Sequence, residues 1–105
     1  MLQANAPAIP ARDWLAMYRQ RETTFGPMKE GAWRILLDLA TNGPCGVTSA
    51  CLASGRPGTT GLRYIAALEI AGLIERVPHP TDRRSDILHL TAKAREALGV
   101  TGGMS

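Results

Sequence analysis

The hydrophobic period of the chain changes at Gly72. Before this glycine, apolar residues recur every three or four positions, as they do on one face of a helix. After it come two short runs, 73–77 and 86–91, that contain leucine and β-branched residues. The segment between the runs, residues 79–85, is polar and charged. These features predict a β-hairpin with a charged tip, so the fold must join helices to a small antiparallel unit.

Two amphipathic helices are predicted in the first part of the chain. The first begins at Pro10, which suits a first helical turn, and ends at Gly26-Pro27. One face of this helix carries, at helical spacing, Trp14, Met17, Tyr18 and Arg21. The second runs from residue 29 or 30 to Thr41, where Asn42-Gly43-Pro44 stops it.

A tight turn joins the next two helices. A short helix with Thr48 as its N-cap ends before Gly55, and a new helix covers residues 58–71. Thr91 then caps a last helix that runs through Leu98. The order α-α-α-α-β-β-α is mainly α with a small β-hairpin, an α+β class. A helix-turn-helix followed directly by a hairpin is the winged-helix arrangement, in which the hairpin is the wing.

Length and composition predict one globular domain. The chain has 105 residues, 45% of them hydrophobic and 20% charged, so too few residues are available to build a second hydrophobic core. We expect a folded domain at 10–98 between disordered tails at 1–9 and 99–105. Two cysteines, no secretory signal and no apolar stretch long enough to span a bilayer favour the cytoplasm and no membrane contact. A net charge of +3 permits nucleic-acid binding without requiring it.

The sequence predicts no metal site, no cofactor and no enzymatic activity. The residues Cys45, Cys51, His79 and His89 lack the spacing of zinc ligands. Nucleophile elbows, phosphate-binding glycine loops and suitably spaced carboxylate pairs are also missing from the sequence. Cys51 precedes a crossing of two helices and is expected to be buried, whereas Cys45 lacks a basic neighbour that would make its thiol reactive.

The outer face of the predicted helix 58–71 is the first candidate for function. Its N-terminal turns carry Thr59, Thr60 and Arg63, in the part of a recognition helix that meets base edges. Arg63 can form two hydrogen bonds with guanine, and the small alanines that follow leave room for close approach. The alternative is a solvated helix face, because threonine and arginine are common on surfaces.

The tip of the predicted hairpin is the second candidate. Asp82-Arg83-Arg84 places two guanidinium groups where a minor groove would lie if the preceding helix occupied the major groove. Asp82 can hold the Arg84 side chain by a charge-assisted hydrogen bond, so we expect it to orient the wing. The alternative is a hairpin tip that is charged for solubility alone.

Several of these segments together resemble the MarR family of bacterial transcription regulators. The likeness runs from Ala32 to Leu98 and rests on Thr59-Thr60-Gly61-Leu62-Arg63, Leu68-Glu69, Gly72-Leu73-Ile74-Glu75-Arg76, Asp82-Arg83-Arg84 and Leu90-Thr91. The resemblance implies a winged-helix fold and binding to double-stranded DNA. It also implies that Arg84 is the wing arginine, Asp82 its carboxylate partner and Arg63 the arginine of the recognition helix.

The chain departs from the family pattern in two places. Many members read Ser-Pro-Ser-Thr-x-Ser-Arg at the start of the recognition helix, whereas Leu62 here replaces the second-last residue, a serine. The long terminal helices that form the family's dimer and frame its ligand pocket are shortened, so an effector is not evident. Two alternatives are open for Trp14, Met17 and Tyr18. They form the contact of a homodimer, or they pack on the domain's own core.

The sequence therefore predicts a sequence-specific regulator of transcription that binds double-stranded DNA, with repression as its expected effect. The recognition helix, 58–71, would enter the major groove and the wing, 79–85, an adjacent minor groove. The alternative is a winged-helix module that binds another protein and has no specific affinity for DNA.

Overall fold

The fold combines five helices with a three-stranded antiparallel sheet in residues 8–56, 58–82 and 84–100, the part that this computed structural model describes. In chain order the elements are α1 (Ala11–Phe25), α2 (Glu30–Asn42), β1 (Cys45–Gly46), α3 (Val47–Ser54), α4 (Thr59–Ile70), β2 (Ile74–Pro78), β3 (Asp86–Leu90) and α5 (Ala92–Leu98). The predicted fold class and helix order are confirmed, and β1 is an addition to them.

The core forms around α2, which packs against both α3 and α4. Its apolar stripe buries Ile35 and Leu36 completely, and they meet Ile65 from α4 and Leu88 from β3, which are also fully buried. Burying a side chain of this size contributes about 1.5 to 3 kcal/mol. The helix ends at Gly43, whose positive φ of 90° lets the chain turn away.

The short helix α3 begins two residues earlier than the sequence predicts. Gly46 is its N-cap, and no side chain supplies a capping hydrogen bond, so the prediction that Thr48 caps it is wrong. The start is fixed instead by β1, because Cys45 pairs with Leu88 and Gly46 with Ile87 in the central strand.

The turn between α3 and α4 brings the two helices into close contact at Gly61. A Cβ atom on Gly61 would lie 2.6 Å from the Arg56 carbonyl oxygen and 2.9 Å from Cys51 Sγ. Gly61 therefore marks a close approach of the two helices. Cys51 is buried in the crossing, as predicted.

The sheet places β3 in the centre, with β1 on one side and β2 on the other. The β2–β3 hairpin is predicted correctly to within a residue or two, and Ile74 pairs with Leu90 across it. Leu88 and Leu90 are buried, whereas Ile87 and His89, on the alternate positions of β3, are half-buried.

Thr91 joins the sheet to α5. Its hydroxyl accepts a hydrogen bond from Ala94 N–H at 3.1 Å and donates one to the Gly72 carbonyl at 2.8 Å, so the predicted cap is confirmed. The predicted start of a tail at residue 99 needs correction. Gly99 closes α5, and Val100 packs against the core and donates its N–H to the Arg95 carbonyl at 2.9 Å. Residues 1–7 and 101–105 lie outside the described residues.

The C-terminal end of the first helix, α1, packs against α2. The Arg21 guanidinium lies 5.1 Å from the Trp33 ring centre and 3.2 Å from a Glu30 carboxylate oxygen, and the Phe25 ring lies 5.4 Å from that of Trp33. The preceding turns carry exposed apolar side chains, namely Trp14, Leu15, Met17 and Tyr18. The alternative that Trp14, Met17 and Tyr18 pack on the domain's own core is therefore wrong.

Replacing Gly61 by alanine is expected to destabilise the fold by up to about 2 kcal/mol. The new methyl group must push into a backbone carbonyl, which costs about 1 to 3 kcal/mol, and this outweighs the gain of about 1 kcal/mol in helix propensity. Urea denaturation followed by circular dichroism measures the change. Ala66→Gly, on the exposed face of α4, is the control for propensity alone, and a Gly61→Ala protein more stable than the parent would disprove the close contact.

Candidate nucleic-acid interface

The outer face of α4 carries the residues that the sequence predicts for base contact. Thr59 and Thr60 form the first helical turn, and they and Arg63 are exposed. The opposite face is buried through Gly61, Ile65 and Leu68, which fixes the rotation of the helix about its axis. The predicted division of α4 into two faces is confirmed.

An apolar patch flanks this outer face on the side of α3. Leu62 of α4 is 47% exposed and Leu52 of α3 is 68% exposed. They line a shallow depression of about 250 Å³ together with Val47, Thr48, Cys51 and Gly58. The sequence singles out Leu62 only as a departure from a family pattern, and nothing in the periodicity of α3 identifies Leu52 as its neighbour.

The wing turn is held by Asp82. One carboxylate oxygen accepts the Arg84 N–H at 3.0 Å, and the other accepts the Ser85 hydroxyl at 3.2 Å. The Arg84 Nε atom lies 3.6 Å from the carboxylate, an ion-pair distance longer than a hydrogen bond. Asp82 therefore pairs with the Arg84 side chain at ion-pair distance and also fixes the backbone of the turn, while the Arg84 side chain stays 93% exposed. The prediction that Asp82 orients Arg84 for DNA stays a prediction. Arg83, also predicted to contact DNA, lies outside the described residues.

His79 is a second residue that shapes the wing, and sequence reasoning assigned it no role. Its Nδ1 atom accepts the backbone N–H groups of Thr81 at 3.2 Å and Asp82 at 3.1 Å. A ring nitrogen placed before Pro80 acts here as a capping acceptor, as Asp and Asn side chains do in other turns. A histidine directly before a proline, with backbone N–H donors two and three residues later, is the sequence signal that could have identified this capping role.

The α3 N-terminus connects the wing to the start of α4. Val47 and Thr48 line the apolar depression, and they also line a second depression of about 330 Å³. The second one is bordered on the wing side by Arg76, Arg84 and Ser85. The outer face of α4 and the wing therefore lie along one continuous surface, which we call the α4–wing surface.

Arg76 links the wing side of this surface to α4. Its Nε atom donates to a Glu69 carboxylate oxygen at 2.9 Å, and Asp86 lies 3.8 Å from its Nη1 atom. The hydrogen bond with Glu69 raises the pKa of Arg76 above its ordinary value. These contacts tie β2, which leads into the wing, to the last turn of α4, whereas Arg63 has no carboxylate partner in the described part of the chain.

The chemistry of the two cysteines does not point to a redox or metal site. Burial, with a smaller effect of the Asp38 carboxylate, raises the pKa of the half-buried Cys45 thiol, so this group stays protonated at neutral pH. Within residues 8–56, 58–82 and 84–100, no three His, Cys, Asp or Glu side chains cluster as metal ligands would. None of the helices described is both long and apolar enough to cross a membrane.

Protonation of Asp82 is expected to loosen the wing. The hydrogen bonds from Arg84 N–H and the Ser85 hydroxyl lower the pKa of Asp82 below its ordinary value of 3.8. This carboxylate therefore stabilises the folded state above pH 3.8, and the stabilisation is lost as the pH falls through the lowered folded-state pKa. An amide NMR titration should move the Arg84 resonance with a midpoint below 3.8, and Asp82→Asn should abolish that step. A midpoint at or above this value would disprove the contact.

Comparison with known proteins identifies the fold. No protein-family model matches the sequence, and no curated protein matches it. Among solved structures, the transcriptional regulator Tm0710 from Thermotoga maritima aligns with a TM-score of 0.69 and 26% identity over 84% of this chain and 64% of that chain. RV1404 from Mycobacterium tuberculosis aligns with a TM-score of 0.70 and 22% identity over 89% of this chain and 72% of that chain.

A third solved structure contains DNA. Overoxidized AbfR bound to DNA aligns with a TM-score of 0.65 and 21% identity, over 85% of this chain and 67% of that chain. The chain spans less than two thirds of the length of Tm0710, so the likeness covers the domain that both share. The shared order of helices and wing shows that the chain has the winged-helix fold of the MarR-type transcriptional regulators.

Proposed function

We propose that this protein is a transcription regulator that binds double-stranded DNA in a sequence-specific manner. The observation that carries the proposal is the continuous α4–wing surface, on which Arg63 of α4 and Arg84 of the wing are both exposed. A major groove about 12 Å wide admits a helix such as α4, and the wing then reaches the adjacent minor groove.

The residues of α4 are suited to reading bases. Arg63 can donate two hydrogen bonds to the O6 and N7 atoms of guanine. The hydroxyl groups of Thr59 and Thr60 lie on the first turn, within reach of a base edge or a phosphate. Ala66 and Ala67 are exposed and small, so they let the helix approach the floor of the groove.

The wing is suited to a narrow minor groove. Arg84 projects a positive charge from a turn whose backbone is already fixed by Asp82 and His79. Narrow minor grooves have an enhanced negative potential that attracts arginine. Because the backbone of the turn is ordered before binding, the entropy lost when Arg84 enters the groove is confined to its side chain.

The comparisons support this assignment. Tm0710 is a transcriptional regulator, and AbfR was solved bound to DNA. A transcriptional regulator and a DNA-bound protein as neighbours agree with the expectation that this chain is not an enzyme. Binding to chromosomal DNA also agrees with the expected cytoplasmic location, and occupation of a promoter would repress transcription.

We also infer that two copies associate through α1. Its face that packs on α2 near Arg21 continues uncovered toward the N-terminus, where Trp14, Met17 and Tyr18 are about half exposed. Aromatic residues and methionine are enriched in protein interfaces, and an apolar patch of this kind marks one. One DNA-binding module buries only about 600 to 1,000 Å², so a dimer on half-sites about 34 Å apart gains the specificity that one copy lacks.

Alanine substitutions at Arg63 and Arg84 are expected to weaken DNA binding in different ways. Arg63→Ala removes a base contact and should reduce discrimination at one base pair by about 1 to 3 kcal/mol. Arg84→Ala should weaken binding to all sequences alike and reduce the salt dependence, since it removes a groove charge. Titration of duplexes selected from a random pool, at several salt concentrations, measures both effects. For a dimer that neutralises about eight phosphates, log K should fall with log salt at a slope of about −7.

Arg19→Ala is the matched control, because Arg19 is exposed on α1 and its loss removes the same charge. Equal effects of all three substitutions would disprove the docking of α4 and the wing. If the random pool yields no enriched sequence and retention depends on salt alone, the chain is better assigned as a module that binds another protein.

Trp14→Glu is expected to dissociate the dimer. A charge buried in the α1 contact would destabilise the association by about 2 kcal/mol or more, without affecting the exposed monomer surface. Sedimentation equilibrium measures the change. Thr23→Glu adds the same charge on the opposite, exposed face of α1 and should leave the dimer intact. A parent protein that sediments as a monomer would disprove the proposal, and so would equal dissociation of both variants.

A further inference from the structure

We propose that Leu62 reads the 5-methyl group of a thymine in the major groove. The inference rests on the proposed DNA-binding function and names one base that the α4–wing surface selects. With Leu52 beside it, Leu62 would make recognition depend on an apolar contact in addition to the hydrogen bonds of Arg63.

Leu62 and Leu52 expose apolar surface where the fold does not require it. Leu62 is 47% exposed and Leu52 is 68% exposed, although they face each other across the depression between α3 and α4. The core is filled without them, because the buried side of α4 is made by Gly61, Ile65 and Leu68. Their side chains are therefore available for a contact outside the chain.

The position of Leu62 on α4 favours DNA as the occupant of this patch. Leu62 follows Thr59 by three residues and directly precedes Arg63, so all three lie on the first two turns of the helix. The depression that Leu62 lines continues through Val47 and Thr48 to the wing. A duplex that contacts Arg63 and the wing must pass over it.

The size of the patch argues against a protein as its occupant. A stable protein interface buries about 800 Å² on each partner, around an apolar centre. The depression between the two leucines, which Val47 and Cys51 also line, has a volume of only about 250 Å³. A depression of this size suits a contact with one small apolar group.

Thymine is the base whose chemistry fits. Its 5-methyl group is the apolar group that the four natural bases present on the major-groove edge. Because Leu62 and Arg63 are adjacent in the chain, we expect this thymine within about two base pairs of the guanine that Arg63 contacts. The half-site should therefore contain thymine and guanine in close succession.

Replacement of thymine by deoxyuridine tests the inference, because it removes the methyl group and leaves base pairing unchanged. Duplexes selected from a random pool by the full chain would be substituted one thymine at a time. At one thymine per half-site, we expect the parent protein to lose about fourfold in affinity, the value of one buried methyl group. Leu62→Ala and Leu62→Ser should remove this sensitivity, so that both bind the thymine and deoxyuridine duplexes equally.

Ile70→Ala is the control variant. Ile70 is 87% exposed on the same helix but lies about 12 Å farther along the axis, past the turns that face the groove. It should keep the full sensitivity to deoxyuridine. A parent protein that selects a sequence but is insensitive at every thymine would overturn the inference and leave the proposed function standing, as would sensitivity that persists in both Leu62 variants. A parent protein that selects no sequence would overturn both.

Discussion

The crossing of α3 and α4 at Gly61 determines how the rest of the surface is presented. The α4 backbone lies against Cys51 there, at a distance that leaves no room for a side chain. The buried hydroxyl of Ser54 donates to the Cys51 carbonyl at 2.6 Å and accepts the Arg56 N–H at 3.0 Å, so the polar groups of the turn are satisfied inside the fold. A contact this close permits one rotation of α4 about its axis. That rotation directs Arg63 outward and decides which residues can meet a ligand.

The wing depends on the same helices, although it is built from strands. The central strand β3 pairs with β1, which leads directly into α3, and with β2, which follows α4. Arg76 then connects β2 to Glu69 of α4 and to Asp86 of β3. An exposed ion pair contributes little stability by itself, yet here it restrains the angle between two elements that carry separate groups. The two ends of the α4–wing surface are therefore held at fixed positions relative to each other before any partner binds, which lowers the entropic cost of binding.

The amino-acid pattern predicted the features that depend on periodicity and on glycine. The helices and the hairpin follow from residue spacing and from the glycines that end the helices. The strand β1 was missed because two residues, Cys45–Gly46, carry no period and acquire their conformation from pairing with β3. The role of His79 was missed because it depends on a turn that forms only once the hairpin closes. The apolar face at Trp14 was predicted from the periodic pattern. Such a pattern marks a face that suits burial, but it does not identify the surface that buries it.

The distribution of charge limits how this protein can bind DNA. The net charge is only +3, and Arg21 and Arg76 are paired with carboxylates in the described part of the chain. In the proposed complex a single copy would therefore neutralise few phosphates, and its salt-dependent, sequence-independent affinity would be low. The affinity would then come from contacts that distinguish one sequence from another and from the proposed second copy on the same duplex. An apolar contact such as that of Leu62 suits this requirement, because it depends on the base and, unlike a charge, is not screened by salt.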